Sequence, residues 1–150
     1  MKLSEILNKK VEMPFCYDCD KGLNKPYNDV KTFHETFNHP ISDKPKVLDE
    51  ERTLARSDWM SEEIQEFIEA ENVADQTDAM IDLIYFALGT LVEMGVKPQA
   101  CFEIVQEANM AKLFPDGKPH YNYQTKTIKP EGWEDPYPKL KKEIERQGSN

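Results

Sequence analysis

The segment from Ser61 to Gly95 constrains the fold of this chain more than any other. It carries two acidic clusters, each embedded in an apolar pattern of helical period: Glu62-Glu63-x-x-Glu66 and Asp78-x-x-x-Asp82. Residues three and four positions apart share one face of a helix, so each cluster projects its carboxylates in one direction. The sequence therefore predicts two helices with acidic faces.

The aspartate cluster conflicts with its surroundings. Asp78 and Asp82 interrupt an apolar run that extends to Leu88 and that predicts a buried helix. A charge at a core position is unfavourable unless it is paired or holds a metal ion. We therefore expect both aspartates to lie at buried positions and to serve a function.

A short connection joins the two acidic helices. The first is predicted from Asp49 to about Asn72 and the second from about Val73 to Met94, where Gly95 is suited to a C-cap. A connection this short requires the helices to pair antiparallel. Both clusters lie at a similar distance from the turn, so the pairing brings the glutamates opposite the aspartates.

A cluster of four carboxylates at this seam predicts a metal site. Like charges in close proximity repel, and the repulsion is relieved by proton uptake or by a cation. Oxygen ligands alone favour a hard cation over zinc, so we expect Mg²⁺, with Mn²⁺ as a possible substitute. The expected ligands are Glu63, Glu66, Asp78 and Asp82.

The rest of the chain also has helical periodicity. Further helices are predicted for Met1–Lys10, for a segment from an N-cap at Asn28 to about Asn38, for the segment after Pro98, and for Pro138–Gln147. The fold class is therefore all-α, a four- to five-helix bundle built on the antiparallel acidic pair. We interpret residues 1–150 as one domain with a core at about 28–113, followed by a C-terminal loop and short helix at 114–150.

Two sets of side chains leave alternatives open. Phe33 and Phe37 form an aromatic stripe that is typical of a core but also fits a ligand platform, and His34 fits a structural role or contact with a base or phosphate. Asn109 and Lys112 share a helix face near its end, where a lysine either complements the helix dipole or binds phosphate.

Charge and cysteine content exclude several classes. A net charge of -9 argues against a nucleic-acid partner, and the longest apolar segment is broken by aspartates, so no membrane span is expected. Three cysteines provide no disulfide framework, so a cytoplasmic location is expected. Zinc at Cys16-x-x-Cys19, with His34 and His39 following, is disfavoured by the spacing.

Magnesium on helical carboxylates indicates a polyphosphate substrate, because this ion completes its shell with phosphate oxygens. No glycine-rich Walker loop is present. A spare carboxylate would serve as the base for an attacking water, and Lys112 and Lys126 would neutralise the outer phosphates.

Taken together, these motifs resemble the all-α nucleoside triphosphate pyrophosphohydrolases, a superfamily that includes MazG-type proteins, dimeric dUTPases and phosphoribosyl-ATP pyrophosphohydrolases. The likeness spans Asn28 to Trp133 and is strongest with the phosphoribosyl-ATP branch. Besides the acidic clusters, it involves Asp29-Val-x-x-Phe33-His34-x-x-Phe37, Asn109-Met-x-Lys112 and Lys129-Pro-x-x-Trp133.

The resemblance implies cleavage of a nucleoside triphosphate between its α and β phosphates by a homodimer or homotetramer. It implies catalytic roles for Glu62, Glu63 and Glu66, and magnesium on Glu63, Glu66 and Asp82. The family's E-x-x-D pattern would place a glutamate at position 79, where this chain has Ala79, so Asp78 is the nearest substitute. Substrate contacts are implied for Phe33, His34, Phe37, Asn109, Lys112 and Lys126.

Two alternatives remain at this point. Within the enzyme class, the substrate is phosphoribosyl-ATP itself. Outside it, the chain is a non-catalytic helical interaction module whose acidic face binds a basic partner or stabilises an oligomer.

Overall fold

Local capping signals define the central helix pair of the computed structural model, which describes residues 20–149. Asp49 accepts a hydrogen bond from the Arg52 amide (2.8 Å) and Asn72 accepts one from the Asp75 amide (2.9 Å). Each cap satisfies an otherwise free amide in a first turn. In the described range the helices are α1 Asn24–Thr36, α2 Glu50–Glu69, α3 Val73–Met94, α4 Pro98–Met110 and α5 Tyr137–Gly148.

The all-α prediction is confirmed for the described residues, where an isolated antiparallel bridge between Tyr121 and Thr127 is the β feature. Helix α2 ends at Glu69, earlier than predicted, because Asn72 caps α3 and does not extend α2. The two helices make the most extensive contact of any described pair. The predictions for Met1–Lys10 and for Cys16 and Cys19 lie outside the described residues.

The start of α1 was predicted wrongly. The helix begins at Asn24, one turn before the expected N-cap Asn28, and its N-cap Leu23 makes no side-chain cap bond. The Gln99 side chain on α4 supplies this role, because its Oε1 accepts from the Leu23 amide at 2.7 Å. A cap from another helix carries no signal in the local sequence.

The core lies between α1 and the C-terminal half of α3. Tyr27 and Val30 of α1 are buried against Leu88 and Val92 of α3. Burying apolar side chains of this size stabilises the fold by roughly 1.5–3 kcal/mol each. Helix α1 therefore determines which half of α3 is covered.

The N-terminal half of α3 is exposed on its outer side, so the predicted burial of Asp78 and Asp82 is wrong. Both aspartates are exposed, and their apolar neighbours Ile81 and Ile84 are 55% and 52% exposed. Helix α2 covers this half of α3 on one face, while α1 packs on the core half. An apolar run in the sequence does not specify which faces a neighbouring helix will cover.

Helix α3 ends at Gly95, as predicted, in the left-handed conformation. Within residues 20–149 no single helix is long and apolar enough to cross a membrane. Helices α3 and α4 pass that test of length and composition only as a pair bent by 116°.

Replacing Gly95 with alanine is expected to lower the free energy of unfolding by about 1–3 kcal/mol. Its φ is +70°, and a Cβ atom there would lie 2.5 Å from the Lys44 carbonyl oxygen and 2.8 Å from that of Ser42. Gly117 provides a matched control, because its φ is +73° but a Cβ atom would have nothing within 4 Å. Urea denaturation should show the smaller loss for Gly117→Ala. Equal losses would contradict the proposed clash.

Candidate functional site

Glu63 is the carboxylate of α2 that the fold buries. The residue is 8% exposed, and its Oε2 atom has no hydrogen-bond partner among the described residues. Buried polar atoms are almost always paired, and an unpaired carboxylate oxygen is especially unfavourable. The atom therefore marks a place where a cation or a proton is needed.

The other acidic side chains lie close enough to act on Glu63. Burial raises the pKa of Glu63, and the negative charges of neighbouring carboxylates raise it further, in the order Glu66, Asp82, Asp78 and Glu62. Helix pairing thus places the α2 glutamates opposite the α3 aspartates. We call these five residues the carboxylate cluster.

The residues of the carboxylate cluster lie near one another, but their side chains do not form a coordination shell. In the range 20–149, no three Asp, Glu, His or Cys side chains are arranged to hold a metal ion. Glu66, Asp78 and Asp82 are exposed, so their side chains can change rotamer without breaking the core. Their role as ligands stays a prediction.

A cavity lies about one helical turn from the carboxylate cluster on both helices. Trp59 precedes Glu63 by four residues and Tyr85 follows Asp82 by three, which corresponds to a rise of about 6 Å along α2 and about 4.5 Å along α3. The cavity has a volume of about 220 Å³. We call it the aromatic pocket; its lining residues are Phe33, His34, His39, Arg56, Trp59, Tyr85 and Phe86.

Rings from α1 and α3 form one side of the aromatic pocket. Phe33 stacks on His39 with centroids 5.6 Å apart, and meets Tyr85 edge-on at 5.8 Å. Phe37 packs on Phe33 at 4.5 Å but is 61% exposed and does not line the cavity. Phe33, at 37% exposed, is therefore part of a pocket wall and not of the core.

A buried ion-pair network supports the pocket from behind. Glu93 of α3 is 1% exposed; its Oε1 accepts from Nε and Nη2 of Arg52 at 3.0 and 2.6 Å, and its Oε2 accepts from Nε of Arg56. Sequence reasoning missed Glu93. The sequence does contain a signal for this residue. Glu93 is a lone charge within the apolar segment Leu91-Val92-Glu93-Met94, just as Asp78 and Asp82 are charges within an apolar run.

His34 completes the network as a neutral imidazole. Its Nδ1 lies 2.8 Å from the Pro40 carbonyl oxygen, which only accepts, so Nδ1 donates and Nε2 is left to accept from Nη2 of Arg56 at 3.2 Å. Burial is the largest cause that lowers the pKa of His34, and the Arg56 charge lowers it further. Both ring nitrogens are thus engaged within the protein, and His34 offers the pocket its ring surface.

Gly89 makes room for this network on α3. A Cβ atom there would lie 2.8 Å from Nη1 of Arg56 and 3.0 Å from Nε2 of His34. The close approach of these two side chains, one from α1 and one from α2, leaves no room for a side chain at position 89.

Stability is expected to fall as the pH drops below about 6.5, the ordinary pKa of histidine. The pKa of His34 is lowered in the folded protein, so the unfolded chain takes up a proton first, and the contribution of neutral His34 is complete only above that pH. Protonation would also place a cation against Arg56. Unfolding free energies across this range should have a steeper slope for wild type than for His34→Gln. Parallel slopes would contradict the expectation.

The predicted phosphate contacts lie elsewhere in the chain. Lys112 donates to Oδ1 of Asn109 at 2.7 Å and lies 5.6 Å from the Trp133 ring centre, and Lys126 is exposed next to the Tyr121–Thr127 bridge. In the described part of the chain, none of their hydrogen bonds or ion pairs reaches the carboxylate cluster.

Two of three comparisons with known proteins give matches. The family model for phosphoribosyl-ATP pyrophosphohydrolase matches residues 30–109, more than half of the chain. The match includes the carboxylate cluster and Asn109 but ends before Lys112 and Lys126. The chain is also similar to a solved structure of a proposed NTP pyrophosphohydrolase from Exiguobacterium sp. 255-15, with 34% identity over 84% of this chain and 97% of that chain, at a TM-score of 0.47. A comparison with curated proteins gave no match.

Proposed function

The chain belongs to the phosphoribosyl-ATP pyrophosphohydrolase family, and on that premise we propose that it is a magnesium-dependent nucleoside triphosphate pyrophosphohydrolase. The reaction cleaves the bond between the α and β phosphates and yields a nucleoside monophosphate and pyrophosphate. The observation that carries the proposal is the unpaired Oε2 of Glu63, buried beside four further carboxylates.

The donor set of the carboxylate cluster fits magnesium. Hard divalent cations prefer carboxylate oxygens, and Mn²⁺ is the expected substitute. Glu63, Glu66, Asp78 and Asp82 would hold the ion. Ala79 is 1% exposed and points into the protein, so Asp78 can stand in for the family's glutamate only from the exposed side of α3. When bound, the ion would offset phosphate charge and lower the pKa of a coordinated water.

The substrate is oriented by the spacing between the two parts of the site. We place the nucleobase in the aromatic pocket and the phosphates at the carboxylate cluster, one helical turn further along α2 and α3. A volume of about 220 Å³ suits a nucleobase better than a whole nucleotide, since pockets for larger ligands start at about 300 Å³. Glu62, exposed beside Glu63, would accept the proton of the attacking water.

A second copy of the chain is the proposed partner. The face formed by α3, α4 and α5 has a groove of about 470 Å³ with almost entirely apolar walls, and in this groove Ile84 and Phe102 are 52% and 57% exposed. An exposed apolar surface of this kind is typical of an interface. Assembly would also give Lys112 and Lys126 a route to the carboxylate cluster of the partner. Sedimentation should give a dimer or tetramer; a monomer at micromolar concentration would contradict this.

The function is tested by incubating the pure protein with each NTP and dNTP and with Mg²⁺, and by assaying pyrophosphate. Phosphoribosyl-ATP belongs in the panel, because the matching family model is named for the enzyme that hydrolyses it. We expect pyrophosphate and monophosphate in equal amounts. Turnover of no nucleotide, or release of orthophosphate alone, would refute the proposal.

A ligand-binding readout separates the enzyme from a non-catalytic interaction module. Binding to the folded state raises the melting temperature, so wild type should melt higher in Mg²⁺ than in EDTA. The interaction module predicts no such difference.

A further inference from the structure

The buried network behind the aromatic pocket carries an excess positive charge. Arg52 and Arg56 share one carboxylate, that of Glu93, while His34 is neutral, so the group has a net charge of +1. Arg52 is 27% exposed and reaches solvent, whereas Arg56 is 4% exposed and lines the pocket. The uncompensated charge therefore faces the pocket through Arg56.

Arg56 also has unused hydrogen-bond donors. A guanidinium has five N–H groups; one from Nε goes to Glu93 and one from Nη2 goes to His34. Three N–H groups remain without a hydrogen-bond partner among residues 20–149. Donors at the wall of a pocket can be satisfied by acceptors on a ligand, so this wall fits a ligand that presents oxygen atoms.

Resting on the proposed function, we propose that Arg56 selects nucleobases that present a carbonyl oxygen where adenine and cytosine present an amino group. These keto bases are uracil, thymine, guanine and hypoxanthine. An amino group at the same place would set donor against donor in a buried site, and both would lose their hydrogen bonds. The ion pair with Glu93 and the bond to His34 fix the guanidinium before the base binds.

The other polar groups of the pocket differ from Arg56 in charge. His39 and Tyr85 carry neutral groups that both donate and accept, and the indole of Trp59 is a neutral donor. The ring nitrogens of His34 are already engaged, and Phe33 and Phe86 are apolar. The Arg56 guanidinium centre lies over the Trp59 ring, 5.0 Å from its centre, so the two side chains form adjacent parts of one wall of the pocket. Among the lining side chains, Arg56 carries the permanent positive charge.

The test compares nucleotides that differ by a keto or an amino group at one edge of the base: UTP with CTP, and ITP with ATP. For each pair that is hydrolysed, wild type should favour the keto member at least about 10-fold in kcat/KM, the effect of a single hydrogen bond. Arg56→Lys should lower the ratio several-fold, because an ammonium still donates but lacks the planar donors that the guanidinium holds in a fixed geometry.

Arg52→Lys is the matched control. It removes a guanidinium from the same Glu93 carboxylate, but Arg52 does not line the pocket, so the keto preference should persist. Product binding gives a readout independent of turnover: in a Trp133→Phe background, UMP should quench Trp59 fluorescence at lower concentration than CMP.

The outcomes separate the two proposals. If wild type hydrolyses nucleotides without a keto preference, the role of Arg56 is overturned and the proposed function stands. The same conclusion follows if the keto-to-amino ratio of kcat/KM changes equally in Arg56→Lys and Arg52→Lys. Hydrolysis of no nucleotide removes both. If Arg56→Lys does not fold, the wild-type ratio and the UMP and CMP titrations decide the matter.

Discussion

Replacing Glu63 with glutamine is expected to lower kcat/KM for pyrophosphate release by at least about 100-fold. Glutamine keeps the shape of the side chain but removes the charge that would hold a cation. The carboxylate cluster retains its other members, so the loss measures the buried position specifically. A coupled pyrophosphate assay at saturating Mg²⁺ gives the rate.

The same variant is expected to melt at a higher temperature than wild type in EDTA. The pKa of Glu63 is raised in the fold above its ordinary value of 4.5, so at neutral pH the folded state holds an unfavourable charge. Stability from this group therefore rises as the pH falls toward the raised pKa, and a neutral glutamine gains that stability at every pH. In Mg²⁺ the order should reverse, because only wild type binds the ion.

Glu51→Gln is the control for both measurements. Glu51 is exposed on the first turn of α2, about 18 Å along the helix from Glu63, and the substitution changes the net charge equally. We expect wild-type activity and no reversal with Mg²⁺. Retained activity in Glu63→Gln, or the same melting shift in Glu51→Gln, would contradict the assignment of Glu63.

The elements predicted well from sequence are those whose signals are local. Helix α3 begins and ends where the sequence placed it, because Asn72 caps its own next turn and Gly95 adopts the left-handed conformation itself. The start of α1 was missed because its cap comes from Gln99, far along the chain. Burial of Asp78 and Asp82 was overestimated for a related reason, since the coverage of a helix depends on its neighbours.

The same difference between local and long-range signals applies to the candidate site. Glu63 and its acidic neighbours were found because their spacing on two paired helices is visible in the sequence. The aromatic pocket was found only through Phe33 and His34, because its other walls come from separate elements. Trp59 fits the apolar period of α2 and arginine favours a helix, so neither Trp59 nor Arg56 stands out in the sequence.

Replacing Glu93 with alanine is expected to lower the free energy of unfolding by about 3–5 kcal/mol. The substitution leaves the guanidinium of Arg56 buried without its carboxylate, and it also removes the partner of Arg52. An unpaired charge in a buried position costs more than the original pair contributed, so the loss exceeds that of an ordinary truncation. Urea denaturation followed by circular dichroism measures it.

Asp29→Ala provides the comparison, because it also breaks an ion pair of known geometry. Lys25 and Asp29 lie 2.7 Å apart, but their side chains are 59% and 62% exposed, so water replaces the lost partner and no resolvable change in stability is expected. If Glu93→Ala were equally harmless, Arg56 would not depend on Glu93 for its position. The guanidinium would then be free to turn, and a selective donor at the wall of the aromatic pocket would lose its physical basis.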